Sequence, residues 1–263
     1  MKFTIGADPE VFTTKNGLPY SAHELIRGSK HEPFKVKLGA IQVDGTALEF
    51  NIEPAGSADE FVHNINTVYE QMKAEALAKD PNIEFAVGVP HVTYDKQYFD
   101  TIPEGAKELG CEPDFNAYTK KMNPVPVPTE GFRTTAGHIH IGWGYVEDPY
   151  EAQHFEMALE ATKALDATLG WPADEIDPNN RKRQQLYGNF GAFRPKPYGF
   201  EYRVLSNFWL KNDALKRWVF ERTLWTMNHL ASGQSPWNDV TYGRQISNAR
   251  LEKMGAPVRP ALV

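Results

Sequence analysis

Apolar and polar positions alternate with the period of a β-strand in several separate stretches of this chain. Over residues 3–12, Phe3, Ile5, Ala7 and Val11 fall on one side, while Thr4, Gly6, Asp8 and Glu10 fall on the other. Pro9 inside that run implies an edge strand or a bulge, and Asn16-Gly17 immediately after it predicts a hairpin turn. The next such stretch sets Leu48, Phe50 and Ile52 against Glu49, Asn51 and Glu53, with Asp44-Gly45 predicting a turn or bulge before it. In Gly137–Trp143, Ile139, Ile141 and Trp143 oppose His138 and His140. In 200–209, Glu201, Arg203 and Leu205 oppose Tyr202 and Val204. Residues 83–90 read as a further strand.

The pattern changes to helical spacing in three places. Ser57-Ala-Asp-Glu60 is a capping box opening a helix with Phe61, Ile65, Val68, Tyr69 and Met72 on one face, stopped by Asp80-Pro81. Asp148-Pro149-Tyr-Glu151 predicts a second start, for a helix carrying Phe155, Leu159, Thr162 and Leu165 and ending near Gly170. A third helix spans 212–230, with Leu215, Trp218, Val219 and Leu224 available for packing. Residues 20–40 are irregular. Residues 100–135 read as a long loop forming a lid or binding wall, in which Cys111 is a structural thiol. One-sided helices need an apolar sheet face to cover. The fold class expected is α+β: one domain over 1–263, a mainly antiparallel sheet backed by helices.

The totals narrow the function. A net charge of −6 and a pI near 5.8 argue against a general nucleic-acid or membrane-surface binder. A single cysteine excludes an internal disulfide framework and fits a reducing compartment. No stretch reaches transmembrane length and no signal peptide opens the chain, so a cytoplasmic protein is expected.

For any one of these strands, ionisable residues at i and i+2 are most simply a solvated face. The repetition alters that balance: Asp8/Glu10, Glu49/Asn51, His138/His140 and Glu201/Arg203 would converge on one pocket if their strands shared a sheet. Several carboxylates with an imidazole select hard divalent cations, Mg²⁺ or Mn²⁺, above all when phosphates complete the shell. The chain also turns locally basic. Arg181, Lys182, Arg183, Arg194 and Lys196 surround Tyr187-Gly188-Asn189-Phe190-Gly191, which suits either a solvated loop or phosphate oxygens. Arg133 closes the long loop just before the His138 strand. Chemistry on a nucleotide follows, with arginines holding its phosphates.

The stretches GADPEVF, DGTALEFN, GHIHIGW and FEYRVLSNFW, in that order, resemble the phage-type carboxylate–amine ligases of the glutamine synthetase and glutamate–cysteine ligase superfamily. The resemblance runs from Gly6 to Trp209 and includes RKRQQLYGNFGAFR. It implies an antiparallel sheet curved into a half-barrel, with ATP and metal ions on the concave face. By position, Asp8, Glu10, Glu49, His138 and Glu201 match the family's metal ligands, and Arg203 matches the arginine that steadies the transferred phosphoryl group. Asp44 falls in a family motif without an assigned role. The expectation is an ATP-dependent ligase that uses Mg²⁺ or Mn²⁺ and forms an amide through an acyl phosphate. Arg133, Arg183, Arg194 and Arg203 are then candidates for the nucleotide, and Glu53 for accepting the amine's proton. Segments that identify amino-acid substrates in larger relatives have no counterpart here, so a small-molecule or peptide acid and amine are both admitted. No nucleic acid or membrane partner is expected, and the compartment is the host cytoplasm if the chain is phage-encoded. Two rivals remain: a metal-dependent hydrolase using His138 and His140, and a non-catalytic nucleotide- or peptide-binding phage protein on the same scaffold.

Overall fold

A computed structural model describes residues 2–108, 114–127 and 129–234. Its strands are β1 (Thr4–Lys15), β2 (Leu18–Tyr20), β3 (Phe34–Val36), β4 (Gly39–Asp44), β5 (Ala47–Ile52), β6 (Ile83–Ala86) and β7 (His91–Thr93). The chain continues through β8 (Phe115–Asn116), β9 (Lys121–Met122), β10 (Phe132–Thr134), β11 (Gly137–Gly142), β12 (Ala192–Lys196) and β13 (Gly199–Tyr202). The helices are α1 (Ala58–Lys79), α2 (Lys96–Thr101), α3 (Glu104–Lys107), α4 (Ala152–Leu165), α5 (Trp171–Ile176), α6 (Asn180–Gln184) and α7 (Asp213–Ala231).

Among the described residues, eleven strands form one open sheet in the order β3-β4-β5-β1-β11-β13-β12-β8-β9, with β2 and β6 also pairing to β1. Every pairing is antiparallel. The expected α+β class with one mainly antiparallel sheet is therefore observed. All four strands that carried ionisable pairs lie in this sheet: β5, β1, β11 and β13 are consecutive neighbours. Their apolar positions, among them Ile5, Val11, Leu48, Phe50, Ile139, Ile141 and Phe200, are buried on the opposite face.

That face is covered by helices. Ser57 caps α1, its Oγ accepting from the Glu60 N–H at 3.2 Å, and Phe61, Ile65, Val68 and Met72 are buried as the periodicity requires. α1 lies against β4 and β5, α4 against β12 and β13, and α7 bridges α1 and α4. Phe61 meets Trp209 and Phe220 at ring-centroid distances of 5.9 and 5.5 Å, which ties α1 to α7 and the chain before it. A smaller apolar cluster (Phe12, Val92, Tyr94, Phe99 and Ile102) sits beneath the β7–β10 ribbon.

Several local expectations change. Pro9 is in an interior strand, not at an edge. The Glu10 N–H donates to Ala136 O on the β11 side, so the adjacent peptide faces β5, and β1–β5 pairing begins only at Glu10. Proline's missing donor therefore costs no ladder bond. Asp148 closes a turn instead of capping a helix, accepting from the Tyr150 N–H through Oδ1 at 2.9 Å. Glu151 becomes the cap of α4. That helix runs on past Gly170 through a π-helical turn (Asp166–Gly170) into α5. The strand expected over 200–209 stops at Tyr202, because Ser206 caps a 3₁₀ turn over Asn207–Lys211. The strand expected over 83–90 stops at Ala86, and β7 begins only at His91. The long loop carries short pieces of structure, α2 to β10, and Cys111 lies outside the described residues. The Asn16-Gly17 hairpin and the turn after Asp44 form as expected, with Asn16, Gly17 and Gly45 all at positive φ.

Candidate active site

Register determines which side chains meet. Asp8 is opposite His138, Glu10 opposite Glu49, Gln42 opposite Glu49, and Glu201 opposite both His140 and Arg194. Since alternate residues share a face, these groups all project from the side not covered by helices. Two clusters result. In the first, Asp8, His140 and Glu201 offer ligand atoms within 4.8 Å of one another, and in the second Glu10, Asp44 and Glu49 do the same.

In the first cluster His140 Nε2 lies 3.0 Å from Asp8 Oδ2. His138 stands beside it, with Nδ1 at 3.3 Å from Asp8 Oδ1 and 3.2 Å from Glu201 Oε1. Tyrosines meet the far side of each ring: the Tyr187 hydroxyl at His138 Nε2 and the Tyr198 hydroxyl at His140 Nδ1. Cations crowd Glu201. Arg203 Nη1 donates to its Oε1, Arg194 Nη1 donates to Oε2 at 3.1 Å, and Lys196 Nζ is 3.3 Å from Oε2. In the second cluster Glu49 Oε2 accepts from Gln42 Nε2 at 2.7 Å, and Glu10 Oε2 accepts from the Ala136 N–H at 2.9 Å.

The two clusters carry opposite electrostatics. Burial opposes ionisation of Asp8, but His140 and His138 outweigh it and hold the carboxyl below its ordinary range. Burial likewise opposes the charge on Glu201, and Arg203, then His138 and Arg194, hold it well below the ordinary range. His138 is driven down to about 4 by burial and by Arg203, so it is neutral at pH 7. His140 moves the other way: burial works against its charge and Asp8 prevails. Glu10 is pushed up to about 8 by burial and then by the charge of Asp44. Glu49 is raised well above its usual value by burial, then by Asp8, Glu10 and Asp44. Carboxylates crowded in this way hold protons until a cation replaces them.

The donor set fits divalent cations. Asp8 Oδ1 and His140 Nε2 are buried atoms held to their neighbours by charge rather than by formed hydrogen bonds, and a cation could take both as ligands once His140 gives up its proton. Carboxylate oxygens with one imidazole in one cluster, and carboxylates alone in the other, suit Mg²⁺ or Mn²⁺ better than softer ions. A cavity of about 220 Å³ contains Asp8 and all of the second cluster, and its walls bear Lys30, Arg133, Arg194, Lys196 and Arg203.

The structure separates the sequence-derived candidates. Asp8, Glu10, Glu49, His138, Arg133, Arg194 and Arg203 all line this cavity, and Glu201 lies buried directly behind its arginines. His140, rather than His138, completes the ligand group with Asp8 and Glu201, and Asp44 joins Glu10 and Glu49. Arg133 is in the wall, but it donates to the carbonyls of Phe132 and Lys107 and lies 4.6 Å above the Phe99 ring. Arg183 does not reach the cavity. It is fully buried, donating to Val204 O at 3.0 Å and to Arg203 O at 3.2 Å. It thereby holds the main chain under Arg203, and its charge also acts on Glu10. Gly188, at positive φ, leaves it room: a Cβ there would lie 2.2 Å from Nη1. Glu53, expected on the face of Glu49, follows the end of β5 with an exposed side chain and lines no cavity described here.

Two contributors had no legible signal. Asp114, buried at 6% exposure, accepts from Arg203 Nε at 3.0 Å and from Asn123 Nδ2 at 2.8 Å. It sits in the long loop, where no periodicity marks a facing side. Tyr198 lies in the β12–β13 turn, and only the register of those strands brings it to His140. In the sequence Tyr187 stands out only as part of its glycine-rich stretch. Its ring is 4.9 Å from the guanidinium carbons of both Arg183 and Arg203.

Among the described residues no helix is long and apolar enough to cross a membrane. No curated protein matches the chain. The strands bearing Asp8, Glu10, Asp44 and Glu49 precede the matched span, which takes in β11, the arginine-rich stretch and β13. Over that span, residues 126–238, the chain matches the model of the family described as Phage phiEco32-like COOH.NH2 ligase-type 2, the phage-type carboxylate–amine ligases that its motifs resemble.

Proposed function

We propose that this protein is an ATP-dependent ligase that joins a carboxylate to an amine through an acyl phosphate. The observation that carries the reading is the placement of two adjoining carboxylate clusters on one sheet face, with Arg194, Lys196 and Arg203 at their edge. A carboxylate oxygen attacks the γ-phosphorus of ATP, the bond to the bridging oxygen breaks, and ADP leaves. The amine then attacks the acyl carbon, phosphate departs, and the ammonium proton is lost as the amide forms.

Asp8, His140 and Glu201 would hold one divalent cation, and Glu10, Asp44 and Glu49 another. Bound there, such ions supply positive charge against phosphoryl oxygens as negative charge redistributes. The chain's own residues do the rest. Arg203, fixed by Glu201 and Asp114, and Arg194 donate to phosphoryl oxygens. His138, neutral and tied to Tyr187, keeps Asp8 and Glu201 at a fixed separation. Glu53 lines neither cavity, and the reading gives it no proton to take. Use of ATP fits a cytoplasmic protein.

The test is ADP release with Mg²⁺ over a panel of carboxylic acids and amines, followed by the mass of the product. ADP formation requiring both acid and amine, with a product lighter by one water than their sum, is expected. Turnover without ATP would indicate a metal-dependent hydrolase instead. ATP bound with no ADP released by any pair would indicate a non-catalytic binding protein.

A further inference from the structure

A second cavity, of about 270 Å³, opens on the same sheet face and has no part in the nucleotide chemistry above. Its floor is Gly6 with Ile52 and Pro54 beside it, and its polar wall is Thr4, Asn51 and Tyr198. His140 closes the end nearest the first carboxylate cluster. The two cavities differ sharply in chemistry. The first contains acids, arginines and lysines, whereas among the described residues His140 is the only ionisable side chain other than the Tyr198 phenol lining the second. They adjoin at the first carboxylate cluster: Asp8 lines the charged cavity, His140 lines the other, and their side chains are 3.0 Å apart.

Transfer of a phosphoryl group needs the attacking and leaving oxygens on opposite sides of the phosphorus, close to in line, with the stabilising charges around its other oxygens. Phosphates belong with the arginines. The other side of the cluster is therefore where the acceptor fits. We infer that the neutral cavity holds the carboxylic acid that accepts the phosphoryl group, and that this acid has an uncharged body beside its reacting carboxylate. The inference rests on the ligase reading. A charged body would lose its hydration against Pro54 and the glycine floor, and the imidazole of His140 is already engaged by Asp8, so the cavity discriminates against it. Hydroxyl, amide or peptide groups find partners in Thr4, Asn51 and the Tyr198 hydroxyl. The step itself is the one written above: a carboxylate oxygen bonds to γ-phosphorus and ADP departs with the bridging oxygen's electron pair.

Gly6 provides a direct test. A Cβ there would lie 3.6 Å from the His140 Cβ, 3.8 Å from Ile52 O and 4.0 Å from the Pro54 Cα. Those are ordinary contacts, so Gly6→Ala is accommodated on the strand and takes space only from the cavity. Gly6→Val takes more and suits a β-strand. The experiment measures hydroxamate formed with MgATP and hydroxylamine from monocarboxylates and N-acetyl amino acids with neutral side chains, against dicarboxylates and acids bearing an amine. Neutral acids should be preferred. Gly6→Ala and Gly6→Val should raise KM for the preferred acid in steps, the valine by about tenfold or more, with KM for ATP unmoved. A preference for charged acids, an unchanged acid KM, or a rise confined to ATP would overturn the inference while hydroxamate formation keeps the ligase reading. No hydroxamate from any acid would overturn the ligase reading itself. The cavity is then judged by binding alone, as stabilisation of the Mn²⁺-treated protein by the same acids. Stabilisation lost in Gly6→Val keeps the assignment, and stabilisation absent in the parent or equal in both removes it.

Discussion

Asp114 Oδ2 accepts from Arg203 Nε at 3.0 Å, across 89 positions of sequence, while the same guanidinium donates through Nη1 to Glu201. Both acids are buried, and the arginine is 4% exposed. Its planar fork is thus fixed from two directions before any phosphate arrives. Lysine keeps the charge but cannot bond both acids in one plane. Arg203→Lys should lower kcat by roughly 10²-fold or more with KM for ATP little changed. Asp114→Asn keeps an acceptor for Nε and should show a smaller loss of the same kind. Steady-state kinetics of both variants, beside their melting temperatures, separate misplacement from unfolding. Equal kcat in all three proteins would return Arg203 to a structural ion pair.

Cation binding should depend on pH with a definite sign. Glu10, driven up to about 8, and Glu49, raised well above its usual value, carry protons at neutral pH that a divalent ion must displace. Without the ion, their neutral forms favour the fold, and that contribution is lost as pH rises through their folded pKa values. With the ion, deprotonation favours binding. The melting temperature gained from Mn²⁺ should therefore grow from pH 6 to pH 9, and calorimetry in buffers of different ionisation enthalpy should record proton release. A gain independent of pH would contradict the pairing of Glu10 and Glu49 at one site.

Asp166 provides a second pH-dependent term, on the far side of the sheet. Burial pushes its carboxyl up to about 7, although Tyr202 and Tyr118 donate to it, each at 2.8 Å. Its neutral form is favoured in the fold and its charged form in the unfolded chain. Stability from this group is complete below about pH 4 and is lost as pH rises toward 7. The difference in unfolding free energy between parent and Asp166→Asn should therefore vary across that range and flatten above it. Denaturant unfolding at pH 4.5, 6 and 8 measures it, and a constant difference would mean that Asp166 is ionised throughout.

Arg183 and Glu53 should respond in opposite ways. Arg183→Leu leaves the carbonyls of Val204 and Arg203 without their buried donor, which costs roughly 2 kcal/mol or more of stability. Glu53→Gln changes an exposed side chain outside the cavities, and both turnover and melting temperature should match the parent. A large fall in kcat for Glu53→Gln would restore it as the base for the amine.

The legible part of this protein was what period two can express. Alternation put Asp8 and Glu10, Glu49, and His138 and His140 on polar strand faces, because a half-buried strand must sort its side chains. It could not reveal register, and register decides that His140 faces Glu201 and that Glu10 faces Glu49. Arg183 shows the limit of composition: a guanidinium among glycines suits phosphate as well as it suits main-chain carbonyls, and only the buried path of the chain after β13 distinguishes them. Asp148 shows the limit of local motifs, since a capping box and a closed turn share their first hydrogen bonds. Asp114 had no periodic neighbour at all.

The interior position of β1 has a consequence for the order in which the protein is made. Glu10 is joined to Ala136, 126 positions later, and its carbonyl accepts from Asn207, 197 positions later. A ribosome therefore releases the first acids of the site long before the strands that flank them exist. Until β11 and β13 are synthesised, β1 has only β2, β5 and β6 to pair with, and Asp8 has none of the imidazoles that stabilise its charge. Pairings this distant close slowly, since each encloses a long loop. The Asp8–His140–Glu201 cluster is in that sense completed late, and a nascent chain that stalls before Glu201 has a partial sheet and the Glu10–Asp44–Glu49 acids but not that cluster.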